Sequence, residues 1–190
     1  MHPFDTLNLD NGARLIFTPC PGTKEASLPE ALKTLQAAGA DAVVTLMPSA
    51  ELAQFQADAM PAECATLGLA WFHLPVEDDC APEAPFSQAF ASHKADLLAR
   101  LAAGQTLAIH CRGGSGRTGL MAAILLLEAG YASSYTEPLL FNSKLIMASK
   151  VFHKALRHQL KHCNQFKVRM LMLENSQTKK LLLQLKSQVS

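Results

Sequence analysis

The run TLAIH, residues 106–110, passes into the glycine-rich CRGGSGRTG and from there into the apolar stretch LMAAILLLEAG. The first segment has the length and β-branching of a buried strand. The last, from Arg117 to Ala129 and stopped by Gly130, has the length and stop signal of a helix. A strand that feeds a helix through a short loop is one half of a βαβ unit, and such units force a parallel sheet covered by helices on both faces.

The rest of the N-terminal part repeats the alternation. Leu15 to Pro19 reads as a strand, and Ser27-Leu28-Pro29-Glu30 opens a helix with a reciprocal cap, its buried face marked by Leu28, Leu32 and Leu35. Asp41 to Met47 is a second buried strand, Pro48-Ser49 starts a helix, Pro61 and Gly68 bracket another, and Leu69 to Val76 is a third strand. EDDCAPEAP, from Glu77, is a loop, and Pro85 to Ala103 a long helix closed by Gly104. The predicted fold is therefore a three-layer α/β/α domain around a central, mostly parallel sheet of four to five strands.

A chain of 190 residues with 49% hydrophobic and 17% charged residues suits one such domain. Its net charge of +1 hides a break: residues 1–134 carry 7 Lys and Arg against 14 Asp and Glu, and residues 135–190 carry 10 against 2. We expect a domain over 1–134 and a basic helical C-terminal segment over 135–190, packed on or appended to it. With few aromatics interleaving its charges, that segment reads first as a solvated amphipathic helix, with an acidic partner or the acidic body itself as the alternative and no nucleic acid expected. Five cysteines without metal-finger spacing predict free thiols in a reducing compartment, hence the cytoplasm. The longest apolar run, Leu120 to Leu127, is too short for stable membrane insertion.

The chemistry concentrates between His110 and Gly119. A loop at the carboxyl end of a strand that opens a helix offers an anion several N–H groups and the positive end of the helix dipole. Gly113, Gly114 and Gly116 allow the positive φ values that curl amides inward, and Ser115 lies among them. Cys111 begins the curl and Arg117 ends it, so a tetrahedral phosphate fits between a thiol below and a guanidinium beside it. The same groups stabilise a thiolate, which makes Cys111 a candidate nucleophile. Arg117 would clamp two equatorial oxygens with its planar fork, and Thr118 would donate to the sulfur as it leaves phosphorus. Arg112 adds positive potential, and His110 serves as an orienter of the loop rather than a base.

Two other glycine motifs fail by register. A nucleotide-binding P-loop needs a glycine and a lysine where this chain has Cys111 and Arg117, and a serine-hydrolase elbow about Ser115 needs a glycine where Arg117 stands.

HCRGGSGRTG matches the signature H-C-x5-R-[ST], and with PCPGTK and LGLAWFHLPVEDDCAPE in the same order the span from Leu15 to Tyr131 resembles the protein-tyrosine-phosphatase superfamily. Within it the likeness is to the dual-specificity branch, especially the cyclin-dependent kinase inhibitor 3-like, kinase-associated phosphatases. The resemblance implies a Cys111 nucleophile, an Arg117 clamp, loop amides from Arg112 to Arg117 on the phosphate, a Thr118 assisting hydroxyl, and no metal or organic cofactor. Its general acid follows a Pro-Ile-x-Asp pattern, which Pro75-Val76-Glu77-Asp78 places at Asp78, with Asp79 as the fallback.

The implied reaction is hydrolysis of phosphotyrosine, with phosphoserine and phosphothreonine as further substrates, on a protein or peptide through a phosphocysteine. The alternatives are a phosphoinositide phosphatase and a non-catalytic phosphopeptide-binding module. His158, His162 and Cys163 have helical spacing but no acidic companion, which argues against a metal site. Trp71 and Phe72 read as core or sheet-face residues, and His73 as a satisfied buried histidine in preference to one that borders the site.

Overall fold

The computed structural model describes residues 1–80 and 82–131. The basic segment, with His158, His162 and Cys163, lies outside the described residues.

Five strands, β1 (Asp5–Asn8), β2 (Arg14–Pro19), β3 (Ala42–Thr45), β4 (Ala70–His73) and β5 (Thr106–Cys111), form one sheet in the order β1-β2-β5-β3-β4. All pairings are parallel except the antiparallel β1–β2 pair. Strand β1 has no counterpart in the sequence reading: DTLN is four residues, largely exposed, and supplies little periodicity. It adds to the outer side of β2 and draws the N-terminus in, where buried His2 meets the Thr18 hydroxyl at 2.6 Å.

Helices cover both faces, as predicted. Successive side chains of a strand point to opposite faces, so Ile16, Val43 and Ala108 share one side, where they pack with Leu28, Leu32 and Leu35 of α1 (Leu28–Ala37), Leu52 of α2 (Ser49–Gln54), and Met60 and Cys64 of α3 (Met60–Thr66). On the other side α5 (Gly116–Glu128) lies against β5 and β2, and α4 (Ala84–Ala102) against α5 and β5. The start of α1 is closed as its sequence implies, with the Glu30 carboxylate accepting from the Ser27 N–H at 3.0 Å and from its hydroxyl at 2.8 Å.

Every residue of β5 is buried, including the polar His110. The chain leaves β2 to build β3 and β4 on the far side of β5, then returns through α4 to fill the centre. The strand order thus reverses at β5, and the crevice at the carboxyl end of such a strand is where open α/β sheets bind ligands. That end is Cys111.

Candidate active site

Cys111 is the last residue of β5, 4% exposed and level with Pro19 of β2. The chain then curls through Arg112–Ser115 and enters α5 at Gly116. Gly114 makes the curl possible: its φ is +79°, and a Cβ there would stand 2.6 Å from the Pro19 nitrogen and the Thr18 carbonyl carbon. Only a residue without a side chain fits against that backbone. The expected positive φ at Gly113 and Gly116 is not found, because one reversal at Gly114 completes the turn. The N–H groups of Gly113 through Thr118 donate to no acceptor among the described residues, which leaves a run of donors at the N-terminus of α5.

The Thr118 hydroxyl donates to the Cys111 sulfur at 3.2 Å. It lies one residue after Arg117, itself 7% exposed and held firmly. Its Nη1 donates to a Glu51 carboxylate oxygen at 2.6 Å and to the Val76 carbonyl at 2.9 Å, and its Nη2 donates to the other Glu51 oxygen at 2.9 Å. Nη2 also stands 3.2 Å from a carboxylate oxygen of Asp78. Nε–H is buried with no acceptor among the described residues and remains available to an anion. Burial opposes the charge on this guanidinium, but the hydrogen bonds and charge of Glu51, with Cys111 and Asp78, outweigh it and hold the arginine above its ordinary value.

The loop after β4 thus delivers Asp78 to Arg117, while Glu77 and Asp79 are exposed and form no ion pair with it. Asp79 adopts φ +54°, a left-handed turn next to Asp78. Arg112 lies with its guanidinium 4.9 Å above the Phe55 ring, a cation–π contact at the end of α2. His110 lies under the loop, its Nε2 2.8 Å from the Thr45 hydroxyl, and burial pushes its imidazole down to about 3. His73 is satisfied by the Met47 carbonyl at 2.8 Å and stacks on Trp71.

Cys20, just past β2, is fully buried beside the site. Burial first, then the Glu51 and Cys111 charges, push its thiol up to about 12. Glu51, Thr45, Phe55 and Cys20 all escaped the sequence reading. Glu51 had one faint signal, an acid in the first turn of a helix that starts at the carboxyl end of β3.

A sulfur at a strand end, a collar of unclaimed amides on a helix N-terminus, and an arginine locked beside them by carboxylates define a cysteine-phosphatase fold of the dual-specificity type. Residues 21–167 match the family model described as Swiss Army Knife protein, DSP-PTPase phosphatase domain. The chain belongs to that family, and the match runs past Tyr131, where the resemblance read from the sequence stops.

Solved structures agree on the fold. Kinase-associated phosphatase with its catalytic cysteine replaced by serine is 19% identical, with a TM-score of 0.64 over 78% of this chain and 87% of that one. A mutant form of Tk-PTP is 19% identical, with a TM-score of 0.59 over 84% and 98%. A Cydia pomonella phosphatase is 18% identical, with a TM-score of 0.55 over 83% and 90%. No curated protein matches the sequence. Among the described residues no helix is long and apolar enough to cross a membrane.

Proposed function

We propose that this phosphatase hydrolyses phosphotyrosine, and with it phosphoserine and phosphothreonine, on proteins through a phosphocysteine formed on Cys111. The observation that carries the reading is the buried, unpartnered Nε–H of Arg117 beside the free N–H groups of Gly113–Thr118, around a sulfur that already accepts from Thr118. These donors suit the three equatorial oxygens of a phosphoryl group, and Arg117 adds charge where the transition state needs it.

In the first step the Cys111 thiolate attacks phosphorus, the bond to the leaving oxygen breaks, and Asp78 gives that oxygen its proton. In the second the Asp78 carboxylate takes a proton from water, the hydroxide oxygen bonds to phosphorus, the P–S bond breaks, and the Thr118 hydroxyl stabilises the returning thiolate. Asp78 suits both steps because it already touches Arg117 and remains open to solvent on its other side, 58% exposed. The free thiols Cys20, Cys64, Cys80 and Cys111 suit a reducing compartment, in keeping with the cytoplasm.

The test is a panel of phosphotyrosine, phosphoserine and phosphothreonine peptides and phosphoinositides, with p-nitrophenyl phosphate as the common reference. Turnover fastest on phosphotyrosine, abolished in Cys111→Ser, supports the reading. Turnover confined to phosphoinositides overturns the protein substrate, and peptide binding without turnover makes the chain a phosphopeptide-binding module.

A further inference from the structure

The loop between Cys111 and Arg117 leans on the last residues of β2. Gly114 lies so close to the Thr18–Pro19 peptide that a Cβ would stand 2.6 Å from it, and the Cys20 N–H donates to the Arg112 carbonyl at 3.2 Å. This stretch of β2 has no strand on its outer side. The pairing with β1 ends at Asp5 and Phe17, two residues short of Pro19, and a proline has no N–H with which to extend it.

The residues ahead of β1 hold it instead. Of residues 1–6 only His2 is buried, and its Nε2 stands 2.6 Å from the Thr18 hydroxyl. That hydroxyl donates to the Pro3 and Pro19 carbonyls, each at 3.1 Å. Its single hydrogen is thereby used, so the His2 Nε2–H is the donor of the short bond. The hydroxyl thus ties the imidazole, the Pro3 backbone and the Pro19 backbone together at the end of β2. The other ring nitrogen of His2 is buried with no partner among the described residues. A leucine would fill the same space with no polar atom to satisfy, so folding alone gives no reason for an imidazole here.

We propose that His2 is a positioning residue for the phosphatase reaction: through the Thr18 hydroxyl it braces the end of β2 on which Gly114 rests, and so keeps the loop amides converged on the phosphoryl group. The inference rests on the reading of the Cys111 loop as the phosphate site. Without the imidazole donor the Thr18–Pro19 peptide loses its outer tether. The loop that leans on it then shifts, and amides that must meet a transition state closely no longer do so.

Two measurements on the full chain test it, both made well below the melting temperature of every variant. Calorimetric titration with tungstate, a tetrahedral oxyanion, reads the loop without turnover. We expect affinity about 10-fold weaker in His2→Ala and Thr18→Val. It should stay within about threefold of wild type in His2→Gln and Thr18→Ser, which keep an N–H donor and a hydroxyl. Steady-state hydrolysis of p-nitrophenyl phosphate should lose kcat/KM in the same order and to a similar extent. Leu9→Ala, which removes a buried side chain at the other end of the β1–β2 hairpin, should lower the melting temperature at least as much and keep wild-type tungstate affinity. Wild-type affinity in both His2→Ala and Thr18→Val, or an equal loss in Leu9→Ala, overturns the proposal. Tungstate affinities in the expected order, from a wild type that hydrolyses no phosphate ester, would refute the functional reading and leave the brace standing. Should His2→Ala fail to fold, the contrast between Thr18→Val and Thr18→Ser decides.

Discussion

Glu51 grips the Arg117 guanidinium with both carboxylate oxygens, at 2.6 and 2.9 Å, from the first turn of a helix that the signature loop does not touch in sequence. This fork-on-fork pair aims the arginine and leaves Nε free. Glu51→Ala should leave a buried, half-paired cation, lowering stability by about 3 kcal/mol and kcat by about 100-fold or more. Glu51→Gln, which still accepts one hydrogen bond, should lose less of both. Urea unfolding and aryl phosphate kinetics on the two variants check this, and a Glu51→Ala enzyme with wild-type kcat removes Glu51 from the site.

Asp78, rather than its neighbour Asp79, reaches Arg117, at 3.2 Å. Asp78→Asn should therefore reduce kcat for a poor leaving group such as a phosphoserine peptide by about 10²–10⁴-fold, and Asp79→Asn by little. Asn also tolerates the left-handed backbone that Asp79 adopts. Parallel kinetics on the two variants decide between the acids; the reverse ranking would move the proton donor to Asp79.

Gly114→Ala should be the most damaging single methyl in the loop. The new Cβ would meet the backbone of Thr18 and Pro19, and neither β2 nor β5 can yield without loss of pairing. A stability loss of about 3 kcal/mol, with loss of activity, is expected from thermal melts and turnover. A melt within a degree of wild type would mean that the loop is not closed as described.

His110 folds uncharged, since burial lowers its imidazole from 6.5 to about 3. Above pH 6.5 the folded and unfolded chains are both neutral at this residue, so stability does not depend on it. Below 6.5 the unfolded chain takes a proton that the folded chain refuses, and stability falls as pH drops towards 3, by roughly 5 kcal/mol in full. His2, also lowered by burial, acts in the same direction. Urea unfolding free energies should decline from pH 7 to 4.5 and decline less in His2→Asn; a flat or rising profile contradicts the buried, neutral histidines.

Cys20 and Cys64 sit fully buried, with thiols pushed up to about 12, burial being the main cause for both, while Cys80 is exposed. Iodoacetamide at neutral pH should label Cys80 and spare Cys20 and Cys64 until the chain unfolds. Inorganic phosphate should slow labelling at Cys111 and leave Cys80 unchanged. Peptide mapping by mass spectrometry reads all four, and rapid labelling of Cys20 in the native protein would contradict its burial.

The fold was legible wherever local periodicity carried it. The alternation of buried strands with helices, the Ser27–Glu30 cap and the stop at Gly130 all lie within a few residues of one another in sequence. So does the contact of Thr118 with Cys111, because a strand-loop-helix turn fixes the distance between neighbours in the chain. The strand β1 was not legible, since its four residues are held by pairing with β2 rather than by their own pattern. Nor were the partners that meet across the sheet: Glu51 lies 66 residues from Arg117, Thr45 lies 65 from His110, and Trp71 lies 26 from Thr45. A carboxylate in a first helical turn and a threonine at a strand end are common, and only the sheet order brings these two to Arg117 and His110.

The most direct measurement of the central claim is a millisecond acid quench of the wild-type enzyme turning over a 32P-labelled aryl phosphate, followed by mapping of the label. We predict radioactive phosphate on the peptide that contains Cys111, trapped more fully in Asp78→Asn and absent in Cys111→Ser. Sustained hydrolysis with no label on that peptide, or undiminished hydrolysis by Cys111→Ser, would contradict a phosphocysteine and with it the account of this site.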